Sequence, residues 1–320
     1  MSAGLVDVEA WLPPHDVPND IFTGIGLTDE WIVRRSGIVS RAYFADDESP
    51  VRAAGDVVRR LVTRCPDPAR IGALLVVSTS NDARVPGAAQ IIAEDAGLGH
   101  TLLTLDLNAA CNGFVYALAV GLALVESGTV DEAVVCAMEA MSRLTNMADR
   151  QSAFLFGDGV GAVRLAARPG FVASRAVAGS DATFASLMTM DADGLVLRGI
   201  EVYKHAITRM KESLAAVVDQ TDPAPVVVVP HQANGRILDE VRRGLPGPGL
   251  RLVNRIEHMG NTSSASIPLA FAAELDDGAI PRSGRLATVG YGAGEAWGAV
   301  SCHYAIDHEA PVGPFPPSAG

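Results

Sequence analysis

The feature that most constrains this chain is a regular alternation of two kinds of segment. Short apolar runs rich in β-branched residues are separated by longer segments in which apolar positions follow helical spacing. Nearly continuous apolar runs are typical of strands covered on both faces, so the alternation predicts an α/β fold of layered sheets and helices. A chain of 320 residues with 48% hydrophobic and 19% charged residues can fill a large core. The predicted strands are 71–78, 101–107, 132–137, 161–166, 225–229, 285–289 and 299–304, and the predicted helices are 51–64, 87–96, 113–127, 201–218, 235–243 and 266–275.

A weak internal repeat relates the two halves of the chain. Residues 105–118 form a strand, a turn with a polar residue and a helix of small residues, and residues 252–270 repeat that order. A duplication of this kind would place Cys111 and Asn261 as symmetry mates at the centre of the molecule.

Each half also reaches a glycine-rich turn that leads into a strand, at 156–163 and at 290–300. A dinucleotide site needs a helix after its glycines, so these turns do not fit that class of site. Glycines instead allow backbone amides to approach a reacting carbonyl without obstruction by side chains.

Cys111 lies at a predicted strand-to-helix junction. A thiol there faces the unsatisfied N–H groups and the positive end of the next helix, and both favour the thiolate. The alternative is a buried structural cysteine, the interpretation that suits Cys136 and Cys302 within their apolar runs. No CxxC pair indicates a metal or redox site.

A histidine and an asparagine accompany this cysteine. His231 follows the predicted strand 225–229, and Asn261 lies in the repeated turn. A lone histidine is more often structural, and none of the neighbouring spacings provides a second metal ligand. A cysteine nucleophile, however, needs a partner for its proton, and a developing oxyanion needs hydrogen-bond donors. The three residues together therefore predict nucleophilic catalysis.

Charge and hydropathy exclude several classes of partner. A net charge of −12 argues against nucleic acid, whose phosphates require a basic face. The two lysines, Lys204 and Lys211, share one predicted helix, which indicates either a solvated face or a docking patch for an acidic partner. The longest apolar stretch, 113–125, is shorter than the roughly 18 residues of a membrane span, and no leader pattern is present. We expect a cytoplasmic protein that does not enter membranes.

Six segments, in one order, match a known family. They are 28–38, 109–114, 156–161, 230–234, 260–268 and 292–298. In them the chain resembles β-ketoacyl-acyl-carrier-protein synthase III, a condensing enzyme of the thiolase fold, or a close relative from specialised metabolism. The resemblance implies two pseudo-symmetric βαβαβαββ halves in a five-layer αβαβα arrangement. It implies a first half at 1–168 with the nucleophile and a second at 169–307 with the histidine and asparagine. The four prolines of 308–320 predict a flexible tail.

The resemblance also implies a mechanism without a metal or redox cofactor. Cys111 would take an acyl group from acyl-CoA, while the amides of Cys111 and Ala293 hold the tetrahedral oxyanion. His231 and Asn261 would donate hydrogen bonds to the thioester carbonyl of a malonyl group on acyl carrier protein or CoA. Loss of CO2 would then drive formation of a β-ketoacyl thioester.

Further positions match the family's substrate site. Trp31 and Arg150 match residues that sandwich the CoA adenine, and Arg35 matches one near the CoA phosphates. Asn234 is assigned to the substrate site beside His231. Tyr291 stands beside the catalytic sulfur, where the family usually has phenylalanine.

Other positions match contacts with protein partners. Lys204 and Arg236 match positions where the family docks its acidic carrier protein, and Lys211 lies on the same helix as Lys204. Val85 matches the residue that reaches across the family's homodimer to close the partner's acyl pocket. The expected partners are therefore a carrier protein and a second copy of this chain.

Two departures from the family leave the acceptor open. The segment 179–199, which shapes the acyl pocket, is short for the family, and Glu295 occupies a position that is normally apolar. The alternative activity is transfer of the Cys-bound acyl group to an alcohol, amine or carrier thiol without decarboxylation, as in polyketide-type metabolism. A non-catalytic subunit would usually lack the nucleophile, so the intact Cys111, His231 and Asn261 argue against it. A simple acyl-binding module would form no covalent adduct.

Overall fold

Strands and helices alternate along the chain as the sequence pattern predicts. The computed structural model describes residues 2–99, 101–219, 221–222, 224–245, 247 and 249–308. The strands are β1 (Ala3–Trp11), β2 (His15–Pro18), β3 (Ser40–Tyr43), β4 (Ile71–Val77), β5 (Leu103–Leu107), β6 (Glu132–Ala140), β7 (Asp158–Ala167), β8 (Arg175–Ser180), β9 (Met188–Asp191), β10 (Gly194–Leu197), β11 (Val226–Pro230), β12 (Leu250–Leu252), β13 (Ser283–Gly292) and β14 (Ala296–Ala305). The helices are α1 (Asp29–Ser36), α2 (Pro50–Arg64), α3 (Ala88–Asp95), α4 (Gly113–Glu126), α5 (Gly199–Val217), α6 (Gly235–Arg243), α7 (Ile256–Met259) and α8 (Ser266–Asp276). Every predicted strand and helix is present, with boundaries shifted by a few residues at most.

The two halves form sheets with the same strand order. In the first half the order is β5-β4-β6-β7-β1, parallel from β5 to β6 and antiparallel from β6 to β1. In the second half the order is β12-β11-β13-β14-β8, with the same pattern of pairing. Apart from short insertions, each half is therefore a βαβαβαββ unit, and β1 joins the halves through a short parallel contact with β14. The predicted division at residues 168 and 169 falls in the connection between β7 and β8.

Apolar side chains form three layers between the sheets and helices. A central cluster lies between the two half-sheets and includes the side chains of α4 and α8. A second cluster lies under α2 and α3, and a third lies under α5 and α6. The period of two in β4 shows this arrangement, because Leu75 and Val77 belong to the central layer and Leu74 and Val76 to the outer one. Both faces of the inner strands are covered, which explains their continuous apolar runs and agrees with the predicted five layers.

The sequence pattern does not reveal β1, because charged residues interrupt its apolar run. Asp7 and Glu9 are buried, and the guanidinium of Arg64 pairs with them at 2.9 and 2.6 Å. Paired in this way, two carboxylates can occupy a central strand. His308 Nε2 lies 2.8 Å from Asp7 Oδ1, so the first residue of the predicted flexible tail contacts β1. The rest of that tail, 309–320, lies outside the described residues.

The strand-to-helix turns at the centre of the two halves share one local geometry. Each passes through a 3-10 turn before its helix, α4 in the first half and α8 in the second. The first residue of each turn has a positive φ, 48° at Ala110 and 49° at Ser263. The side-chain oxygen of an asparagine two residues earlier accepts a hydrogen bond from that residue's amide, Asn108 in one turn and Asn261 in the other.

This local geometry corrects the predicted symmetry mates. Asn261 corresponds to Asn108, and Cys111 corresponds to Ser264. The two turns are equivalent, as predicted, but the pairing of Cys111 with Asn261 is wrong because these residues occupy different positions in the repeated turn. The thiol and the amide therefore meet across the two halves without being symmetry-related.

Candidate active site

One cavity of about 1010 Å³ extends from exposed residues at the surface to the buried central turns. Its walls include both central turns, the end of β11 and the first turns of α5 and α6. Lys211 and Val85 do not line it. The predicted site residues that it brings together are Trp31, Arg35, Cys111, Arg150, Lys204, His231, Asn234, Arg236, Asn261, Tyr291 and Ala293.

Cys111 lies in the 3-10 turn that precedes α4. Its Sγ lies 3.5 Å from the hydroxyl oxygen of Ser263, in the facing turn of the second half. Although one side of Cys111 meets the cavity, the surrounding protein desolvates the thiol and raises its pKa to about 11, against the opposing effect of the Ser263 hydrogen bond. Desolvation therefore opposes the predicted stabilisation of the thiolate by the helix terminus. At neutral pH the unliganded protein carries the thiol.

His231 directly follows the last residue of β11. Its Nδ1 lies 2.7 Å from the Ser266 hydroxyl oxygen, which also accepts a hydrogen bond from the Gln232 amide at 3.1 Å. Because the Ser266 oxygen accepts from the Gln232 amide, the hydroxyl proton of Ser266 can be donated to His231 Nδ1. We therefore assign the ring proton of His231 to Nε2. Burial lowers the pKa of His231 to about 4, so the ring is neutral at pH 7. A neutral imidazole of this tautomer is a hydrogen-bond donor through Nε2.

Asn261 is held by hydrogen bonds to the backbone. Its Oδ1 accepts from the amide of Ser263 at 2.9 Å, and its Nδ2 donates to the carbonyl of Ala233 at 3.3 Å. Its own amide donates to the carbonyl of Leu155 at 2.9 Å. Because Nδ2 carries two hydrogens, these contacts leave one of them as a further donor. Asn261 and His231 thus supply two N–H donors to the same cavity.

The last glycine-rich turn packs closely against the Cys111 turn. A Cβ on Gly292 would lie 3.0 Å from the amide nitrogen of Cys111 and 2.9 Å from that of Asn112. The φ of Gly292 is −150°, an ordinary extended value, so the close approach and not the backbone conformation requires glycine here. Ala293 follows directly and lines the cavity. The amides of Cys111 and Ala293 therefore belong to two turns in contact, as a two-donor oxyanion site requires.

A buried carboxylate beneath Cys111 is not signalled by any sequence pattern. Glu139 on β6 accepts hydrogen bonds from the hydroxyl of Ser264 at 2.5 Å and from the amides of Thr79 and Ser80 at 3.0 and 3.3 Å. Burial raises the pKa of Glu139, and its hydrogen bonds oppose that effect. Glu139 ties the ends of β4 and β6 to the central turn of the second half. The serine-rich run of the sequence supplies Ser263, Ser264 and Ser266 to the site, but it does not indicate Glu139.

Aromatic and basic side chains lie in the outer part of the cavity. Trp31 on α1 packs edge-on against Phe154, with ring centroids 5.3 Å apart. The guanidinium of Arg35 lies 5.1 Å from the centre of the Trp31 ring. Arg150 donates to the carbonyl of Gly26 at 3.0 Å. An indole face with two nearby guanidinium groups suits a purine that carries phosphates.

The opposite side of the cavity mouth is formed by α5 and α6. Asn234 caps α6 by accepting from the Arg236 amide at 2.9 Å, and its Nδ2 donates to the Arg35 carbonyl at 3.2 Å, so it joins the two sides. The exposed guanidinium of Arg236 lies 5.6 Å from the centre of the Tyr203 ring. Lys204, the next residue on α5, is also exposed.

Two of the predicted residues lie elsewhere. Lys211 packs over Gly244 at the end of α6, where an added Cβ would lie 2.4 Å from the lysine Cε. It is two turns from Lys204, about 10 Å along the helix, so one helix carries both lysines without placing both at the cavity. Val85 is 95% exposed, between β4 and α3.

The inner wall of the cavity is mostly apolar. The short segment between β8 and α5 contains the β9–β10 hairpin, whose Met188, Met190 and Leu195 line the cavity. Tyr291 on β13 is buried, its hydroxyl has no hydrogen-bond partner among the described residues, and burial raises its pKa to about 12. Such a wall accommodates a hydrocarbon chain.

Two other features are absent from the described part of the chain. None of its helices combines the length and hydrophobicity needed to cross a bilayer. Nor do its His, Cys, Asp and Glu side chains form a group of three that could hold a metal ion.

Two sequence models of one family match the chain. The model of 3-oxoacyl-[acyl-carrier-protein] synthase III matches residues 105–182, and that of the C-terminal part of the same synthase matches 223–304. The β-ketoacyl-[acyl-carrier-protein] synthase III of Rhodospirillum centenum is 36% identical over 311 residues, which cover 91% of this chain and 95% of that protein.

Solved structures of similar synthases share the fold. The β-ketoacyl-[acyl-carrier-protein] synthase III of Thermus thermophilus matches with a TM-score of 0.84 and 34% identity, over 93% of this chain and 98% of that one. The priming β-ketosynthase of the R1128 polyketide pathway matches with a TM-score of 0.85 and 31% identity, over 95% and 96% of the two chains. The predicted thiolase-like fold is confirmed. The chain belongs to the β-ketoacyl-acyl-carrier-protein synthase III family.

Proposed function

We propose that this protein condenses an acyl group from acyl-CoA with a malonyl thioester, releasing CO2 and giving a β-ketoacyl thioester. The observation that carries the proposal is the convergence of a thiol, two side-chain N–H donors and the amide of Ala293 on one cavity. The names of the relatives include acyl carrier protein, which supports malonyl-acyl carrier protein over malonyl-CoA as the second substrate.

Acylation is the first step. The sulfur of Cys111 attacks the thioester carbonyl of acyl-CoA, and the negative charge on the carbonyl oxygen is held by the amides of Cys111 and Ala293. The C–S bond to CoA then breaks, and the thiol proton ends on the departing CoA sulfur. Because the Cys111 pKa is raised to about 11, this proton must leave as the acyl group arrives.

Condensation follows on the acylated cysteine. As the C–CO2 bond of the malonyl group breaks, its electron pair moves toward the thioester carbonyl oxygen, to which His231 Nε2 and Asn261 Nδ2 donate. A neutral histidine suits this role, since it donates a hydrogen bond without giving up its proton to the enolate. The enolate carbon then attacks the acyl carbonyl, a C–C bond forms, and the C–S bond to Cys111 breaks. The sulfur leaves as a thiolate and takes up a proton from solvent, which restores the thiol. The two steps balance without a cofactor.

The charges at the cavity mouth support the two carriers. Trp31, Arg35 and Arg150 lie where the adenine and phosphates of CoA would enter. Lys204 and Arg236 are exposed on the other side of the mouth and fit an acidic carrier protein. Since the whole chain carries a charge of −12, docking would depend on this local patch and not on long-range attraction.

A homodimer is the assembly that we propose. Strand β5 forms one end of the described sheet, and Leu103 and Leu105 on it are 39% and 37% exposed. An edge strand with exposed apolar side chains is a surface for pairing with another strand. Val85, which is also exposed, would then reach toward the partner's cavity. A cytoplasmic location is proposed as well, and the four unpaired cysteines fit a reducing compartment.

The test begins with a panel of straight and branched acyl-CoAs, scored by intact mass. We expect an acyl adduct on the wild-type protein and on Cys65→Ala, whose thiol lies outside the cavity, but none on Cys111→Ala. Absence of an adduct on the wild type, or its survival in Cys111→Ala, would contradict the proposal.

The second substrate is tested on the acylated protein. Malonyl-acyl carrier protein should release CO2 and give a β-ketoacyl product, and malonyl-CoA should do so more slowly. If the adduct is instead discharged by an alcohol, an amine or a carrier thiol without CO2, the protein is a simple acyltransferase and the condensation step is wrong.

A further inference from the structure

A charged side chain stands beside the proposed oxyanion site, where the family resemblance implies an apolar one. Glu295 ends the 3-10 turn Ala293–Glu295, and its side chain is fully buried. Withdrawing a carboxylate from water is costly unless it is paired or hydrogen-bonded. The reaction steps above give Glu295 no part, so its presence needs its own explanation.

Two side chains of α5 meet this carboxylate. Arg209 Nε donates to one oxygen of Glu295 at 3.1 Å, and His205 Nδ1 lies 3.0 Å from the other. The two residues are four apart and so share one face of the helix. The guanidinium of Arg209 lies 4.0 Å from the centre of the Trp297 ring, and the ring of His205 meets Phe184 with centroids 4.6 Å apart. Aromatic rings thus hold both partners in place.

The turn that carries the Ala293 amide has an unfavourable backbone. Gly294 has a φ of 75° and Glu295 a φ of 47°, both in the left-handed region. A residue with a side chain stays in that region only where its surroundings hold it there. Here α5 holds the carboxylate, and the amide of Asp181 donates to the Glu295 carbonyl at 3.3 Å. The turn is therefore held through both the side chain and the backbone of one residue.

The backbone of Glu295 lies close to the place where negative charge would develop. Ala293 precedes Glu295 by two residues, so their Cα atoms are at most about 7 Å apart. A carboxylate without a neutralising partner would oppose an oxyanion at the Ala293 amide, and low solvent exposure strengthens that repulsion. Arg209 supplies the opposite charge.

We propose that Glu295 is a positioning residue, which anchors the oxyanion turn to α5, and that Arg209 is required chiefly to neutralise it during acylation. The inference rests on the proposed function, in which the Ala293 amide stabilises the oxyanion. Neither residue contacts the reacting atoms, so both act through the turn between β13 and β14.

Removing the Arg209 cation alone should slow acylation more than removing Arg209 and Glu295 together. Arg209→Met leaves a buried carboxylate beside the oxyanion, and we expect acylation to slow about 100-fold. Glu295→Leu combined with Arg209→Met removes both charges but also the anchor of the turn. We expect this double variant to acylate about 10-fold faster than Arg209→Met and still about 10-fold slower than wild type. A merely structural role would make the double variant as slow as the single one. Malonyl decarboxylation, which depends on His231 and Asn261, should change by less than about threefold in both variants.

A matched control breaks another buried ion pair. Arg164 pairs with Glu132 at 2.6 Å, away from the cavity, so Arg164→Met should lower the Tm without slowing acylation in the folded fraction. Acylation is followed as CoA release in a single turnover, and the folded fraction by near-UV circular dichroism. If Arg209→Met does not fold, Arg209→Gln and its double variant with Glu295→Gln provide the same comparison.

Two results would overturn the proposal: acylation by the Arg209 variant within about threefold of wild type, or a double variant no faster than the single one. Failure of the wild-type protein to form any acyl adduct would instead overturn the proposed function. The two failures are therefore distinguishable.

Discussion

Replacing Gly292 with alanine tests how closely the oxyanion turn must approach Cys111. The new Cβ would lie 2.9 Å from the Asn112 amide nitrogen, 3.0 Å from that of Cys111 and 3.1 Å from the Ala109 carbonyl oxygen. All three atoms belong to the backbone, which cannot rotate away as a flexible side chain can. The φ of −150° at Gly292 is open to alanine, so the clash is the main effect of the substitution.

The size of the effect follows from these distances. To reach ordinary van der Waals contact, the two turns must separate by about 0.5 Å. Overpacking of this kind destabilises a protein by about 1–3 kcal/mol. Misplacing a catalytic group by about 1 Å can slow a reaction about 100-fold, and losing one oxyanion donor slows it about 100- to 1000-fold. We therefore expect acylation of Cys111 by acyl-CoA to slow by about 30- to 100-fold, which is about 2–3 kcal/mol of transition-state stabilisation.

The assay measures single-turnover CoA release, with Tm recorded in parallel. Gly128→Ala is the matched control away from the cavity, because its φ of 74° strains an alanine while no atom lies within 4 Å of the new Cβ. It should lose about 1–2 kcal/mol of stability but acylate within about threefold of wild type. Gly24→Ala, which also meets open space, should match wild type in both measurements.

Acylation of Gly292→Ala as fast as that of Gly128→Ala would contradict the role given to the close approach of the two turns. In that case the turns either separate without moving the Ala293 amide, or that amide is not an oxyanion donor. A slowing of malonyl decarboxylation equal to that of acylation would also contradict it, since the donors of the decarboxylation step belong to other elements.

Three further predictions concern the other groups of the site. Ser266→Ala removes the contact that orients the His231 ring. Malonyl decarboxylation should therefore slow about 10-fold, while CoA release stays within about twofold of wild type. Equal slowing of both steps would contradict the assigned tautomer. Because the folded protein binds a proton on His231 only near pH 4 whereas the unfolded chain binds it below about 6.5, stability should fall as pH drops through this window. Between pH 7 and pH 4, urea unfolding (with pH 5.5 as an intermediate point) should show that wild type loses about 3 kcal/mol more unfolding free energy than His231→Gln does. If the unfolding free energies of the two proteins change with pH in parallel, the depressed pKa of His231 is refuted. Since the Cys111 pKa is raised to about 11, alkylation of Cys111 by iodoacetamide, measured by peptide mass, should be slow at pH 8 and keep accelerating up to pH 11; a plateau below pH 9 would show a thiolate at neutral pH.

Local sequence patterns predicted the elements and the turns. The run of four valines in β11 indicated a buried strand, and His231 directly after it was predicted at a strand end, where the structure has it. The small residues of α4 and α8 indicated buried helices after the two central turns, and both helices lie in the central layer. These predictions succeeded because periodicity and residue size report directly on the faces that an element buries.

Other features escaped the same reasoning. Asp7 and Glu9 conceal β1, since a sequence does not show that Arg64 pairs with them. Lys204 lines the cavity and Lys211 does not, although the two share one helix face, because the side chain of Lys211 packs over Gly244 at the end of α6. Each of these facts depends on residues distant in sequence.

By itself, the sequence determined the α/β layering, the duplication and the choice of Cys111 as the candidate nucleophile, because local spacing and motifs encode them. Only the tertiary structure decided the environment of that thiol. Burial raises the Cys111 pKa instead of lowering it, while Ser263, Ser266 and Glu139 reach the site from other strands and turns. The register of the repeated turns likewise separates Cys111 from the position of Asn261. Desolvation and hydrogen bonding depend on which surfaces meet in space, and that is settled by long-range packing of the two halves.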